Sequence, residues 1–189
     1  MVKQVRISDS TINYEVVHRN IKYPRLEFKT GKLLLVLPED YKDHNDIIEK
    51  HKDWIYKRNS EITIAVERAQ KKKLDYKRTD DEFKQSVHSI VENISDDLKI
   101  NAGSIYFKCM KSKWGSCSPK RNLTLNTLLR YLPDNLIEYV IFHEMVHLIE
   151  RKHNKRFWNF ISNKFQDYKN QEKELLEYWF LIQKVVDGS

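Results

Sequence analysis

His143-Glu144-Met145-Val146-His147, followed by His153, is the part of this chain with the clearest capacity for chemistry. On a helix, the four-residue step from His143 to His147 leaves the two imidazoles about 40° apart on one face and one turn apart in height. Two rings so placed can grip one metal ion, and a third nitrogen from just beyond the helix leaves a fourth position open for water. His153 stands at a recognised ligand spacing, H-x5-H. The donor set suits Zn2+, one per chain. Glu144 lies between the two ligands, where its carboxylate can take a proton from that water. The chemistry implied is metal-assisted hydrolysis, and a peptidase acting on polypeptide substrates is the expected form. Glu172, Glu174 and Glu177 are alternative third ligands; a histidine at known spacing is the better zinc donor. The competing class is a binding module that carries zinc without catalysis. That class calls for a closed, four-ligand site, and no fourth protein ligand is evident nearby.

Such a motif needs a buried helix to carry it. Pro133-Asp134 supplies the start signal, with Asp134 as the expected N-cap. Leu136, Ile137, Val140, Ile141, Phe142 and Leu148 then give a broad apolar surface. Upstream, Ser104 to Met110 and Leu123 to Asn126 read as strands, with Lys113 to Pro119 as a turn-rich loop between them. Either Ile105 to Phe107 or Leu123 to Asn126 could offer a sheet edge against which an extended peptide pairs beside the metal; both could equally be core strands. A helix is predicted from Asp80 to Leu98 on the spacing of Phe83, Val87, Ile90, Val91, Ile94 and Leu98. Phe157, Trp158, Ile161 and Phe165 make another apolar face after the motif, and Leu175, Tyr178, Trp179 and Ile182 a last one. Near the N-terminus, Thr11 to Val17, Leu26 to Phe28 and Leu33 to Leu37 read as strands, the last two joined at Thr30-Gly31 and closed by Pro38. From Tyr41 the pattern turns helical, with Ile47, Ile48, His51, Trp54 and Ile55 in one stripe.

The 189 residues suffice for one good core with a small additional part. Hydrophobic residues make up 40% and charged residues 32%, and no run approaches the 18 apolar residues of a membrane span. The N-terminal stretch has no apolar signal-peptide core, and Cys109 and Cys117 suggest no disulfide framework, so a cytoplasmic protein without membrane association is expected. The net charge is +7, with a dense run from Arg68 through Lys71, Lys72 and Lys73 to Arg78. Further basic residues crowd the motif at Lys111, Lys113, Lys120, Arg121, Arg151, Lys152, Lys155 and Arg156. This density reads either as a solvated surface or as attraction to DNA, nucleoprotein or another acidic partner.

The segments Lys111-Ser112-Lys113-Trp114-Gly115-Ser116-Cys117-Ser118, Asn122 to Asn126, His143 to Glu150 and His153 to Trp158 together resemble the YgjP-like zinc metallopeptidases, a zincin-type family. There is more distant similarity to the WLM-type and SprT-like proteases, whose action on DNA-crosslinked proteins is an analogy for substrate. The resemblance implies an α+β fold: a zincin-like catalytic domain with a small mixed or antiparallel sheet, an HExxH helix and an N-terminal β-rich extension. The boundary is expected near residue 75, with residues 1–75 as the extension and 76–189 as the core. It further implies His143, His147 and His153 as ligands and Glu144 as the base. Glu150, one turn beyond His147, is a candidate to orient a ligand ring or else a surface glutamate. An oxyanion donor is also needed; Tyr131, Arg130 and Lys113 are candidates. Trp114, beside Gly115, is a candidate cleft residue, Trp158 reads as core, and Cys117 reads as a packed or free thiol.

Overall fold

The computed structural model describes residues 2–29, 31–41 and 45–187, with residues 45, 186 and 187 by backbone alone. The chain forms two compact units, residues 1–70 and 71–189.

In the first unit, β1 (Val2–Ile7), β2 (Ser10–Arg19), β3 (Arg25–Lys29) and β4 (Lys32–Pro38) make one sheet in the order β1-β2-β4-β3. β1 was not evident as a separate strand from the sequence pattern. It returns antiparallel into β2 through a two-residue turn in which Ser8 takes a positive φ of 54°, the conformation that matches the twist of paired strands. β2 and β4 run parallel, and β3 folds back antiparallel on β4. Gly31 takes φ 83° in that connection; Thr30, the other half of the predicted turn, lies outside the described residues. Leu33, Leu35 and Leu37 of β4 are buried with Ile12, Tyr14, Ile48 and Ile55. The helical stretch is broken in two, α1 (Asn45–Lys50) and α2 (Lys52–Ala69). The break falls at His51, whose ring Nδ1 lies 2.8 Å from the Ile47 carbonyl. The predicted single stripe is corrected accordingly: Ile48 and Ile55 are core, whereas His51 is exposed and Trp54 lies on the outside against Phe28.

The second unit holds α3 (Asp80–Leu98), β5 (Ile105–Lys108), β6 (Gly115–Cys117), β7 (Leu123–Asn126), a 3-10 turn over Thr127–Tyr131, α4 (Asp134–Val146), α5 (Lys155–Lys164) and α6 (Tyr168–Asp187). α3 starts where the sequence places it because Thr79 and Glu82 cap it reciprocally: Thr79 Oγ1 accepts from the Glu82 N–H, and Glu82 Oε2 accepts from the Thr79 N–H at 2.8 Å. The sheet is mixed, in the order β5-β7-β6, with β5 parallel and β6 antiparallel to β7. Two expectations are corrected here. Leu123 to Asn126 is the central strand and offers no edge. The edge beside the motif helix is β6, inside the stretch read as loop.

α4 is buried almost all round, through Leu136, Ile137, Tyr139, Val140, Ile141, Phe142, Met145 and Val146. Such a helix is held by packing on every side. Asp134 is its first residue, not its cap; Pro133 takes the cap position. The Asp134 carboxylate instead accepts from Arg78 Nη2 at 2.6 Å, while Arg78 Nη1 donates to the Arg130 and Leu132 carbonyls. Lys72 is likewise committed internally, 2.6 Å from Glu174 and 3.4 Å from Glu177. Two cations of the dense basic run thus hold this unit together. Among the described residues no helix is long and apolar enough to cross a membrane.

Candidate active site

α4 ends at Val146, with His147 at its C-cap still in helical geometry (φ −64°, ψ −14°). His143 and His147 therefore keep their helical relation, with ring centroids 5.2 Å apart. A tight turn follows, closed by the Glu150 N–H on the Val146 carbonyl. That turn brings the Glu150 carbonyl to 3.1 Å from His147 Nδ1. A carbonyl only accepts, so Nδ1 carries the proton and Nε2 is left free to donate its lone pair. Glu150 thus faces His147 with its backbone; its carboxylate accepts from the Lys152 N–H at 3.2 Å and shapes the loop.

His153 comes back over the helix on the stretch that opens α5. Asn154 caps α5 by accepting from the Phe157 N–H at 3.1 Å. His153 Nε2 reaches 3.0 Å from His143 Nε2, close to the roughly 3.3 Å that two nitrogens take on one tetrahedral zinc. One potential ligand atom from each of His143, His147 and His153 falls within 4.8 Å of the others. The donor set fits a zinc ion. Glu172 accepts from the Tyr139 hydroxyl and lies near enough to His153 to feel its charge, while Glu174 and Glu177 pair with Lys72; among the described residues none of the three joins the histidine cluster.

Two aromatic residues hold this triad. Phe157, fully buried, meets all three rings at centroid distances of 4.9, 4.7 and 4.6 Å. Trp158 stacks on His153 and donates its indole N–H to the His153 carbonyl at 3.1 Å. The sequence signal was the adjacency of Phe157-Trp158 to His153, but helical periodicity alone assigned both to core.

Glu144 points from α4 towards β6. Its carboxylate accepts from the Cys117 backbone N–H, and burial pushes its pKa up to about 7 against the opposing pull of that bond and of Lys113. Burial, reinforced by His147 and His153, pushes His143 down to about 3, and burial also lowers His147. Burial thus favours the uncharged form of both rings. Gly115 is what admits Glu144: a Cβ there would lie 2.6 Å from Glu144 Cγ and 2.9 Å from Oε1. Gly115→Ala is expected to displace the Glu144 side chain and lower peptide hydrolysis by about tenfold or more while zinc content is kept. Unchanged turnover in that variant would show that the Glu144 position is not critical.

A cleft of about 490 Å³ opens over the triad, lined by Lys113, Gly115 to Pro119, His143, Glu144, His147, Arg151 and His153. Of the other sequence candidates, Lys113 reaches this cleft. Trp114 packs edge-on against Trp179, and Tyr131 lies beside Tyr76 and under the Arg130 guanidinium, which also bonds Asp80; none of these lines the cleft. Cys117 contributes a thiol pushed up by burial and by Glu144, so it stays protonated at neutral pH. Asn126 was missed. It is fully buried, and its amide donates to the Met110 and Lys113 carbonyls while accepting from the Met110 and Leu128 N–H groups. It fixes the segment that leads into β6. A buried amide at the end of an apolar strand was the available signal.

A two-histidine helix with a buried glutamate between them, facing a sheet edge across an open cleft, is the construction of the zincin-like metallopeptidases, and this unit has that fold. The chain belongs to the YgjP-like family: the YgjP-like metallopeptidase-domain model matches residues 65–178. Two solved structures are similar to it. The metallopeptidase zymogen jannalysin of Methanocaldococcus jannaschii is 33% identical over 52% of this chain and 96% of that one, with a TM-score of 0.43. The metallopeptidase zymogen abylysin of Pyrococcus abyssi is 21% identical over 48% of this chain and 91% of that one, with a TM-score of 0.45. No curated protein matches the chain.

Proposed function

We propose that the unit formed by residues 71–189 is a zinc peptidase in which His143, His147 and His153 hold one Zn2+ and Glu144 is the general base. The observation that carries this reading is the convergence of three histidine nitrogens within 4.8 Å beside a buried glutamate. Zinc held there supplies Lewis-acid polarisation of the scissile carbonyl and a more acidic water. Glu144 takes a proton from the attacking water and returns it to the leaving amine. The Cys117 N–H keeps the carboxylate aimed. Apart from the Cys117 N–H that Glu144 engages, the open side of β6 offers backbone groups to hold an extended peptide across the cleft. Of the oxyanion candidates Tyr131, Arg130 and Lys113, only Lys113 lines the cleft.

An association with nucleic acid would rest on exposed cations next in sequence to the cleft residues, among them Lys111, Lys152, Lys155 and Arg156. Arg121 is engaged by the Asn101 carbonyl. If DNA delivers substrate to this face, binding should weaken steeply as salt rises.

The experiment that tests the peptidase reading is metal analysis of the purified chain beside His153→Ala. About one zinc per native chain, sharply reduced in the variant, is expected. Absence of zinc even after reconstitution would remove this reading and leave a basic binding module in its place.

A further inference from the structure

The cleft has a charge pattern that the proposed reaction does not use. Its lining holds two cationic side chains, Lys113 and Arg151, and one acid, Glu144, which is buried and assigned to proton transfer. Both cations are exposed. Among the described residues neither makes an ion pair within 4 Å. Arg151 makes a single hydrogen bond, Nη2 to the Pro119 carbonyl at 3.2 Å. A guanidinium has five N–H donors, so most of its fork is unspent.

Their placement gives the pattern meaning. Lys113 lies just before β6, and Pro119, to which Arg151 is tied, lies just after it. The two charges therefore bracket the open edge strand at its two ends. Arg151 also sits between His147 and His153, so its backbone is carried by the same turn that fixes the triad. A peptide extended along β6 would run from one cation to the other, with the bond facing Glu144 between them.

We propose that Lys113 and Arg151 are specificity-determining residues that bind carboxylate side chains on either side of the scissile bond, so that the substrates are acidic polypeptide segments. The inference rests on the peptidase reading for the identity of the site. Arg151 is the stronger determinant, because its fork can hold a carboxylate bidentately and is anchored at one edge. Lys113 adds a point charge on a flexible stem.

The test compares matched peptides that carry Glu or Gln on both sides of one cleavable bond, at low salt, with the full zinc-loaded chain. The native protein should cleave the Glu peptide about tenfold or more faster in kcat/KM than the Gln peptide. Arg151→Glu should erase or invert that preference while it still cleaves the uncharged peptide; Lys113→Glu should weaken the preference, read as the ratio of the two peptides. Equal cleavage of the two peptides by the native protein would overturn the inference. So would an Arg151→Glu variant that loses both peptides in proportion while Lys113→Glu leaves the preference intact. Binding of the same peptides to the zinc-loaded Glu144→Gln variant, read by fluorescence anisotropy, separates the two readings. Selective binding of the Glu peptide without cleavage by the native chain removes the peptidase and keeps the carboxylate subsites. Unselective binding together with efficient cleavage does the reverse. A single-stranded oligonucleotide that binds at the cleft more tightly than the Glu peptide, with Lys113 and Arg151 required, would also overturn it by assigning these cations to nucleic acid.

Discussion

Glu144→Gln is expected to lower peptide hydrolysis by about a thousandfold or more while leaving zinc content and fold unchanged. The amide keeps the size of the side chain and its place against Gly115, but it cannot accept the proton of the attacking water. Cleavage that survives this change would show that Glu144 is not the base. The same variant has a second signature in the metal-free protein. The folded carboxyl has a pKa of about 7 against its ordinary 4.5. Its contribution to stability is therefore full below about pH 4.5 and is lost as pH rises through 7, a loss of about 3 kcal/mol. His143 acts in the opposite sense: its folded pKa of about 3 lies below the ordinary 6.5. Its contribution is full above pH 6.5 and is lost as pH falls towards 3. Denaturant titrations of metal-free native protein should show both limbs. Glu144→Gln should remove the alkaline limb and keep the acid one. An alkaline limb that persists in the variant would place the titrating group elsewhere.

Phe157→Ala should be among the most damaging substitutions in the second unit, for two separable reasons. The ring is fully buried, and deleting it costs about 3–5 kcal/mol through lost burial and a residual cavity. It is also the common neighbour of His143, His147 and His153, stacked on the second and edge-on to the others. Without it the three rings lose the surface that sets their mutual angles. The fraction that still folds should bind zinc about 10–100-fold more weakly, the range seen when a ligand's supporting neighbours are removed. Phe157→Leu separates the effects. It should regain most of the stability in denaturant unfolding and still show weakened zinc affinity by competition with a chelator. Native affinity in Phe157→Leu would restrict Phe157 to packing.

The site was more legible in the sequence than the sheet that faces it. His143, Glu144, His147 and His153 are found by spacing because a helix converts a four-residue step into a shared face, whatever surrounds it. α3 was readable over its full length because its apolar periodicity and its start coincide. β6 was not readable. Three residues are too few to show alternation, and Gly115 and Ser116 favour a turn reading. Its strand character comes from antiparallel pairing with β7, a tertiary fact. The Asp134 cap assignment failed by one residue, since Pro133 can take the cap position and Arg78, distant in sequence, claims the Asp134 carboxylate. The roles of Phe157, Trp158 and Asn126 were hidden for a related reason. Each acts by touching residues that only folding brings near, and periodicity can say that a side chain is buried but not what it is buried against.

The short open edge of β6 also bears on self-association. An unpaired strand edge is a template for any passing strand, including the same edge of a second copy, and long apolar edges of this kind seed aggregation. β6 spans only Gly115 to Cys117, so a second copy would gain few backbone bonds. The cations at its two ends would face their own likenesses across the join. A polypeptide carrying opposite charge meets no such repulsion. Brevity and like charge thus disfavour pairing of this edge with its twin, a penalty that a guest strand of opposite charge would not meet.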